Sequence, residues 1–290
     1  MKQIRVKAYA KVNLGLDVLR RREDGYHEVR MIMQTVDLYD DLNISKTKDQ
    51  KISITANLKF LPVDENNLIY KAAKLFLDAC GISEGVTVDL KKHIPVAAGM
   101  AGGSSDAAAV LYSMNELFQT GLTLPRLMEL GVKIGADVPY CLMQGTALAE
   151  GIGEKLTELP SMMECPVLVA KPGIHVSTAF VYGNLKLDNV LHPDIDAQIA
   201  AMKEKNLKKT ADCMGNVLES VTIPKYPVVA KIKDCMIKNG ALNAMMSGSG
   251  PTVFGLFEDE KTAKAAYQTL YDQGLAKWVY LTGIYNDRRR

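Results

Sequence analysis

Residues 95–109 read Pro-Val-Ala-Ala-Gly-Met-Ala-Gly-Gly-Ser-Ser-Asp-Ala-Ala-Ala, and most of the structural interpretation follows from them. The glycines leave backbone N–H groups uncovered, and the helix-forming residues after them direct a helix N-terminus to the same point. This pattern predicts an anion site, and a phosphate is the obvious anion. The segment lacks the Gly-Lys-Ser/Thr ending of a P-loop and contains no Gly-x-Gly-x-x-Gly. Taken alone, it could also be a glycine hinge before a capped helix.

Composition and charge are those of a globular protein of 290 residues, long enough for one large or two moderate domains. Apolar residues make up 48%, and a net charge of +2 gives no broad field for nucleic acid or membrane. No apolar run approaches the roughly 18 residues that span a bilayer, and residues 1–5 have no signal-peptide core. We therefore expect a cytoplasmic protein with no nucleic-acid or membrane partner, either a monomer or a weak homodimer.

The cysteines and histidines do not favour a metal centre. The four histidines do not cluster, and no two cysteines have Cys-x-x-Cys or metal-ligand spacing. We expect the cysteines to be small buried side chains in a reducing cytosol. They are Cys80, Cys141, Cys165, Cys213 and Cys235.

Strand and helix patterns follow one another in an order typical of an α+β protein. In the first half, strands are predicted at 4–20 with a break near Lys11, and at 29–36, 42–45, 51–55 and 86–90, with helices at 68–79 and 104–118. In the second half, we predict strands at 167–170, 242–246, 252–257 and 278–284, and helices at 197–218, 228–238 and 261–273. The later elements suggest a split βαβ sandwich. We expect two domains, 1–160 and 161–290, and a solvated basic segment at 288–290.

Lys11 interrupts a strand-like apolar segment, and Asn13 lies two residues on, hence on the same face of a strand. A lone lysine on a strand is usually just solvent-exposed. The functional alternative is a cation beside a reactive oxygen or a carboxylate, and Asn13 on the same face favours it.

Asp137 lies in Gly-Ala-Asp-Val-Pro at 135–139, where small residues and a proline restrict the backbone. It could be a turn or cap aspartate, which is common. It could also be a carboxylate held in place as a general base.

Two further segments carry polar or aromatic groups on turns. Asp-Gly-Tyr-His at 24–27 is either a hairpin turn with surface aromatics or a stacking platform for a planar ring. Ser-Gly-Ser-Gly-Pro at 247–251 is a second glycine loop, which alone could be a wide hairpin turn.

The combination and order of these segments resemble the superfamily of galactokinase, homoserine kinase, mevalonate kinase and phosphomevalonate kinase, the GHMP kinases. The three superfamily motifs correspond to residues 8–16, 95–108 and 246–254, with Met100 where leucine is usual, a nearly isosteric change. A finer resemblance is to the branch whose substrate alcohol carries a cytidine diphosphate group. It rests on Ala-Lys-Val-Asn-Leu at 10–14, Asp-Gly-Tyr-His at 24–27, Asp-Glu-Asn-Asn-Leu-Ile at 64–69, Gly-Ala-Asp-Val-Pro at 135–139 and Gly-Ile-Gly-Glu at 151–154.

The resemblance implies a two-domain α+β fold, with an N-terminal domain like domain 2 of ribosomal protein S5 and a C-terminal ferredoxin-like α/β sandwich. It implies a kinase of isoprenoid precursor biosynthesis by the non-mevalonate route. That kinase would transfer the ATP γ-phosphoryl group to the C2 hydroxyl of a methylerythritol bearing cytidine diphosphate.

The resemblance also assigns roles to residues. Lys11 and Asp137 would be catalytic, with Asp137 accepting the hydroxyl proton and Lys11 between it and the substrate oxygen. The ATP phosphates would be bound by Pro95, Val96, Ala97, Ala98, Gly99, Met100, Ala101, Gly102, Gly103, Ser104, Ser105 and Asp106. The substrate would be bound by Asn13, Tyr26, His27, Ser177, Thr178, Gly248 and Gly250.

ATP is expected as its Mg²⁺ complex, with Ser105 and Asp106 as the nearest candidate oxygens and no dedicated protein-bound ion. Two alternatives stay open. One is another superfamily kinase acting on mevalonate or homoserine, against which residues 24–27 argue, because a small aliphatic alcohol needs no nucleobase reader. The other is a nucleotide-binding regulatory protein without turnover, against which the intact Lys11 and Asp137 argue.

Overall fold

A long central strand organises the first part of the computed structural model, which describes residues 3–289 apart from the side chain of Asn189. The six strands are β1 (Gln3–Arg21), β2 (His27–Thr47), β3 (Ile52–Ala56), β4 (Gly85–Lys91), β5 (Thr146–Gly151) and β6 (Lys155–Glu158). β1 pairs antiparallel with β2 along almost its whole length. β5 pairs with residues 29–34 of β2 and β4 with residues 41–47, while β3 runs parallel to β4.

Four helices accompany this sheet: α1 (Leu68–Cys80), α2 (Gly102–Phe118), α3 (Leu124–Val132) and α4 (Val138–Met143). α1 begins where Asn67 Oδ1 accepts a hydrogen bond from Ile69 N, and it ends at Gly81 in a left-handed conformation. α2 is buried over most of its length, and its run of alanines at 107–109 lets it lie close to its neighbours. α2 therefore fixes the glycine loop that precedes it against the sheet.

The second part is built on a four-stranded antiparallel sheet in the order β10-β7-β9-β8. The strands are β7 (Pro166–Lys171), β8 (Asn243–Met246), β9 (Val253–Leu256) and β10 (Trp278–Gly283). The remaining helices are α5 (Thr178–Gly183), α6 (Ile195–Lys203), α7 (Leu207–Asp212), α8 (Glu219–Lys225), α9 (Val228–Lys238) and α10 (Glu260–Asp272), with a 3-10 turn at Leu187–Asn189. α9 packs on β8 and β9, and α10 on β7 and β10. The order of β7, α9, β8, β9, α10 and β10 confirms the predicted ferredoxin-like sandwich.

Two predicted elements differ from the structure, and five elements were not predicted: β5, β6, α4, α5 and α8. β2 is one continuous strand, whereas two separate strands were predicted at 29–36 and 42–45. Its two halves pair with different strands, β5 and β4. The helix predicted at 197–218 is divided into α6 and α7, because Lys205 adopts a positive φ of 53° and Asn206 caps a new helix. The first sheet ends at Glu158 and the second begins at Pro166, and the domain limits of 160 and 161 stay a prediction.

The expectation of a solvated basic segment at 288–290 is wrong for residues 288 and 289, and Arg290 lies outside the described residues. Arg288 donates hydrogen bonds to the carbonyl oxygens of Thr146 and Leu159 at 2.9 and 2.5 Å, and pairs with Glu158 at 2.6 Å. Arg289 lies over the ring of Tyr112. Both guanidinium groups are used for packing between the two parts of the chain.

Candidate active site

A cavity of about 1090 Å³ is lined by residues from both halves of the chain. Its walls come from β1, the segment around 25–31, the glycine loop, the start of α4, the segment 178–188 and the second glycine loop. The site residues predicted from the sequence that line it are Lys11, Asn13, Tyr26, His27, Gly99, Ala101, Ser104, Asp137, Thr178 and Gly248. Groups more than 200 residues apart in the sequence therefore face one space.

Lys11 owes its position to an irregularity in β1. The pairing of β1 with β2 shifts register between Tyr9 and Lys11, which is the predicted break in the strand. The Lys11 N–H donates to Met100 O at 3.2 Å, which ties this point of β1 to the glycine loop. The Lys11 ammonium is almost buried and donates to Asn13 Oδ1 at 2.7 Å. Lys11 and Asn13 thus act as one polar pair on the cavity wall.

Asp137 occupies the N-cap position of α4 without capping it, because its side chain accepts no hydrogen bond from the helix. Within residues 3–289, its carboxylate takes part in no ion pair shorter than 4.0 Å, so it does not contact Lys11 directly. Both charges act on the buried thiol of Cys141. Burial raises the pKa of Cys141, the Asp137 carboxylate raises it further, and Lys11 opposes this. Lys11 and Asp137 are thus two opposite charges on the wall of one cavity.

The glycine loop leaves its backbone N–H groups without hydrogen-bond acceptors in the described part of the chain. From Val96 to Ser104, no main-chain N–H donates a hydrogen bond to another group in the described part of the chain. The left-handed conformation recurs along the loop, at Ala97, Gly99 and Ala101 with φ of 51°, 73° and 55°. Alternation of this kind turns successive N–H groups toward one side, which makes an anion-binding concavity. The N-terminus of α2, a helix of 17 residues, lies at the end of the loop.

A second cavity, of about 340 Å³, lies along the same loop. Its walls include Leu61, Pro62, Asn66, Asn67, Leu68, Lys92, Pro95, Val96, Ala97, Ala98, Gly102, Gly103 and Asp106. Gly99, Ala101 and Ser104 line both cavities, so the loop connects them. Met100, predicted to bind phosphate, is buried among apolar side chains and lines neither.

Ser105 and Asp106, the other end of the predicted phosphate segment, have partners inside the protein. Ser105 Oγ donates to Tyr9 O at 2.6 Å. Asp106 pairs at 2.8 Å with Lys92, which also pairs with Asp40, and all three charges are buried. Burial raises the pKa of Asp106, the ammonium of Lys92 opposes this, and the carboxylate of Asp40 adds to it. The role of Ser105 and Asp106 as phosphate contacts stays a prediction. The Ser105 hydroxyl already donates its hydrogen bond to Tyr9 O.

The second glycine loop, residues 247–251, packs against the first. Ser247 Oγ donates to Gly99 O at 2.9 Å, and a Cβ added at Gly99 would overlap the main chain of Ser247. Asn216 Nδ2 holds this loop by donating to the carbonyl oxygens of Met246 and Gly248, both at 2.8 Å. The two glycine loops are therefore in direct contact.

Two predicted substrate residues do not reach the large cavity. Ser177 caps α5, since its Oγ accepts from Phe180 N at 3.3 Å. Gly250 is buried behind the second loop, with a φ of 86°. Their neighbours are better placed, because Thr178 and Ser249 line the cavity and their hydroxyls lie 2.8 Å apart.

Tyr26 and His27 form an aromatic corner of the cavity, and their role as a nucleobase platform stays a prediction. The Tyr26 side chain is 61% exposed, so one ring face is available. His27 lies against the ring of Tyr182 with 5.2 Å between centroids. Burial, and then the nearby Arg21 charge, lowers the pKa of His27. The imidazole is therefore neutral at pH 7 and can both donate and accept a hydrogen bond.

Sequence reasoning missed several residues that line the cavity, among them Arg21, Tyr182, Lys186, Asp188 and Ser249. Arg21 and Ser249 lie within or beside segments that the sequence had singled out. Tyr182 and Lys186 lie in a stretch without apolar periodicity, where only the folded chain brings Tyr182 to His27 and places Lys186 on the cavity wall.

No candidate for a dedicated metal cage emerges from residues 3–289, since no three His, Cys, Asp or Glu side chains gather as possible ligands. No helix among the same residues has the length and apolarity needed to cross a membrane.

Comparison with known proteins gives matches over nearly the whole chain. The family described as GHMP kinases N terminal domain matches residues 67–145, and that described as GHMP kinases C terminal matches residues 198–275. A 4-diphosphocytidyl-2-C-methyl-D-erythritol kinase of Lachnospira eligens is 59% identical over 285 residues, covering 97% of this chain and 98% of the relative. A protein of the same name from Lachnoclostridium phytofermentans is 54% identical and covers 98% of both chains.

Solved structures agree with these relatives. A crystal structure of 4-(cytidine 5'-diphospho)-2C-methyl-D-erythritol kinase has a TM-score of 0.84 and 32% identity, covering 98% of this chain and 100% of that one. Homoserine kinase from Cytophaga hutchinsonii has a TM-score of 0.82 at 20% identity, covers 100% of this chain and 97% of its own, and shows the shared fold. The predicted superfamily, architecture and kinase class are confirmed. The chain belongs to the GHMP kinases, which use ATP, and within them to the family of 4-diphosphocytidyl-2-C-methyl-D-erythritol kinases.

Proposed function

We propose that this protein transfers the γ-phosphoryl group of ATP to the C2 hydroxyl of 4-diphosphocytidyl-2-C-methyl-D-erythritol, in isoprenoid precursor biosynthesis by the non-mevalonate pathway. One observation carries the proposal beyond family membership. Lys11 and Asp137 face a cavity that the open glycine loop also lines, with an aromatic corner in its wall. A cytidine diphosphate group and a reacting alcohol need these elements in one space. The five unpaired thiols suit the reducing cytoplasm as its location.

The glycine loop would hold the triphosphate. Its main-chain N–H groups donate to no other group in the described chain, so they are available to phosphate oxygens. The positive end of the α2 dipole adds to the attraction. Gly99, Ala101 and Ser104 line both cavities, so a nucleotide in the smaller cavity would direct its terminal phosphate into the larger one.

At the reacting end, Asp137 would take the proton of the C2 hydroxyl as the oxygen attacks the γ-phosphorus. The new O–P bond forms as the bond between the γ-phosphorus and the bridging oxygen breaks, and ADP leaves with the electron pair. The carboxylate of Asp137 forms no ion pair in the described chain, which supports this role, because a base already paired with a cation would accept a proton less readily. Lys11 would stabilise the negative charge on the transferred group, where positioning and charge neutralisation matter most.

Recognition of the cytidine group would fall to the aromatic corner. Tyr26 offers an exposed ring face for stacking, and the neutral imidazole of His27 offers hydrogen bonds to the base. Tyr182 supports His27 from behind. Asn13 and Thr178 would contact the remainder of the substrate, and Gly248 lets the second loop approach it closely. Ser177 and Gly250, which do not line the cavity, would act only through these neighbours.

Magnesium would arrive with ATP. Asp106 Oδ1 is buried, borders the smaller cavity and has no hydrogen-bond partner in the described chain, which fits an oxygen ligand for the ion. Phosphate oxygens and water would supply the other ligands, as Mg²⁺ prefers. When bound, the ion neutralises phosphate charge. The protein's part is to hold Asp106 in place through Lys92.

The decisive experiment offers three alcohols to the purified protein with ATP: the cytidylyl methylerythritol, mevalonate and homoserine. We expect ADP formation with the first alone. Turnover of mevalonate or homoserine at a comparable kcat/KM would assign the chain to another GHMP activity. ATP binding without turnover of any of the three would favour the regulatory alternative.

A further inference from the structure

Residues 284–289, here called the strap, run from the last strand of the second sheet onto the central strand of the first. Ile284 pairs antiparallel with Val36, and Tyr285 N donates to Thr35 O at 3.0 Å. Gln34 Nε2 donates to Tyr285 O, also at 3.0 Å. The strap thus fills the interval on β2 between the residues that pair with β5 and those that pair with β4.

This interval is also where the pairing of β1 with β2 is irregular. Between the pairs Tyr9–Tyr39 and Lys11–Thr35, β1 advances by two residues while β2 advances by four. A bulge of this kind leaves ladder groups unpaired and bends the strands. The strap therefore supports β2 at the level where β1 delivers Lys11 to the cavity.

The strap also contacts β1 itself. The ring of Tyr285 stacks on that of Tyr9 with 3.9 Å between centroids and 21° between planes. Arg289 donates from Nη2 to Lys7 O at 3.2 Å, and its guanidinium lies 4.7 Å from the ring centroid of Tyr112 on α2. Arg289 thus joins β1 to the helix that follows the phosphate loop.

The glycine loop holds the same point of β1 through different atoms. Met100 O accepts from Lys11 N, and Ser105 Oγ donates to Tyr9 O. The main chain around the bulge is therefore held by the loop, while the side chain of Tyr9 is held by the strap. Lys11 has little freedom to move unless one of these supports is lost.

We propose that Tyr285 and Arg289 are positioning residues for Lys11, through which the second half of the chain fixes the catalytic ammonium contributed by the first. The proposal rests on the proposed function, because it assumes that Lys11 acts in phosphoryl transfer. Neither residue lines either cavity, so neither has a direct role in substrate binding.

The test compares steady-state kinetics of Tyr285→Ala, Arg289→Ala and Tyr285→Phe with those of the unmodified protein. We expect the two alanine variants to lower kcat about 10- to 100-fold, the cost typical of a misplaced catalytic group. KM for ATP and for the cytidylyl substrate should stay within about twofold, because binding groups are untouched. Tyr285→Phe keeps the stacked ring and should retain kcat.

Matched controls separate positioning from general destabilisation. Tyr271→Ala removes an exposed tyrosine of α10, and Arg126→Ala removes an exposed arginine of α3, both away from the cavities. Both should leave kcat unchanged. Thermal unfolding of every variant shows which proteins are folded at the assay temperature. Should Tyr285→Ala be unfolded there, Tyr285→Leu, which keeps side-chain volume but not the stack, takes its place.

A double-mutant cycle with Lys11→Met decides the point. If the strap acts through Lys11, adding Tyr285→Ala to the Lys11→Met variant should lower kcat by less than about twofold, because coupled effects are not additive. Equal losses in both backgrounds, or normal kcat in both alanine variants, would overturn the positioning role. A Lys11→Met variant with normal kcat would instead overturn the role of Lys11 in phosphoryl transfer, and only a lack of turnover in the unmodified protein would overturn the proposed function, so the failures are distinguishable.

Discussion

The Lys11 ammonium and the Asn13 carboxamide are joined by a hydrogen bond of 2.7 Å. The two residues are neighbours on one face of β1 immediately after its bulge. Asn13 Nδ2 in turn contacts Met31 Sδ at 3.2 Å, so the amide orientation leaves its oxygen toward Lys11. A buried ammonium needs such an acceptor. The phosphate and substrate oxygens would complete the set of acceptors around it.

Replacement of Asp137 by asparagine should nearly abolish turnover while ATP still binds. The amide keeps the shape of the side chain but cannot accept the hydroxyl proton, and general-base catalysis typically contributes about 10²–10⁴-fold. Single-turnover rates and the Kd of ATP measure the two effects separately. Asp272→Asn, on the exposed face of α10, is the control. Turnover at the unmodified rate in Asp137→Asn would reject the assignment of the base.

Lys11→Met should resemble Asp137→Asn in kcat, and the double variant should be scarcely slower than either single variant. Residues that act on one transition state as a unit show strongly non-additive losses. In the structure the two charges face one cavity without contact, and the reacting oxygen would lie between them. Multiplicative losses in the double variant would mean that the two side chains act in separate steps.

Local sequence patterns predicted many of the strands and helices, whereas the roles of the site residues rested on the family resemblance and stay predictions. The break near Lys11, the helix predicted at 68–79 and the order of the last four strands all follow from turn residues and periodicity within short segments. The joining of the two glycine loops also agrees with the family resemblance. These features depend on neighbours in the sequence or on motifs, both of which are visible without a structure.

What the sequence did not reveal depends on distant partners. Ser105 resembles a phosphate ligand in the motif, but its hydroxyl bonds to Tyr9 O on another strand. Tyr182 lies in a short helix without periodicity, and only the fold brings it to His27. Arg289 sits in a run of arginines typical of a solvated tail, yet it packs on Tyr112. In each case a long-range contact decides the environment of the residue.

Tyr26→Ala should raise KM for the cytidylyl substrate much more than KM for ATP. Loss of a stacked ring under a base costs about 1–3 kcal/mol, which corresponds to roughly 5- to 150-fold in affinity. Tyr26 lines the larger cavity only, so the nucleotide site along the other side of the loop should be unaffected. Tyr271→Ala, which removes a tyrosine of similar exposure, is the control. Equal increases in both KM values would contradict recognition of the cytidine at Tyr26.

Substrate binding should weaken in acid because of His27. Burial and the charge of Arg21 lower its pKa below the usual value of about 6.5, so the imidazole is neutral at pH 7. As pH falls through that lowered pKa, protonation removes the acceptor nitrogen and places a second cation beside Arg21. KM for the cytidylyl substrate should be flat from pH 8 to about pH 6.5 and should rise below it.

His27→Gln tests this pH dependence, because glutamine keeps hydrogen-bonding groups but does not titrate. Its KM for the cytidylyl substrate should be higher at pH 7 and nearly independent of pH. The KM for ATP, measured over the same range, controls for other ionisations. A rise in acid that persists unchanged in His27→Gln would assign the effect to a different group.

Gly99→Ala should impair ATP binding beyond the cost of its backbone conformation. Gly99 has a φ of 73° and Gly121 has a φ of 68°. Alanine at either position therefore destabilises the folded state by a similar amount, about 1–2 kcal/mol, through backbone strain. At Gly99, however, the added Cβ would overlap the main chain of Ser247, whereas at Gly121 no atom lies within 4 Å. Gly121→Ala is therefore the matched control.

The overlap can be relieved only if the two glycine loops separate, which would also strain the hydrogen bond from Ser247 Oγ to Gly99 O. The backbone donors of the first loop would then lose their common direction, and anion binding depends on that direction. We expect Gly99→Ala to lose more stability than Gly121→Ala in urea unfolding, because the overlap adds to the shared conformational penalty. Only Gly99→Ala should raise KM for ATP, by about tenfold or more. If both variants keep normal KM values for ATP, contact between the loops does not shape the phosphate site.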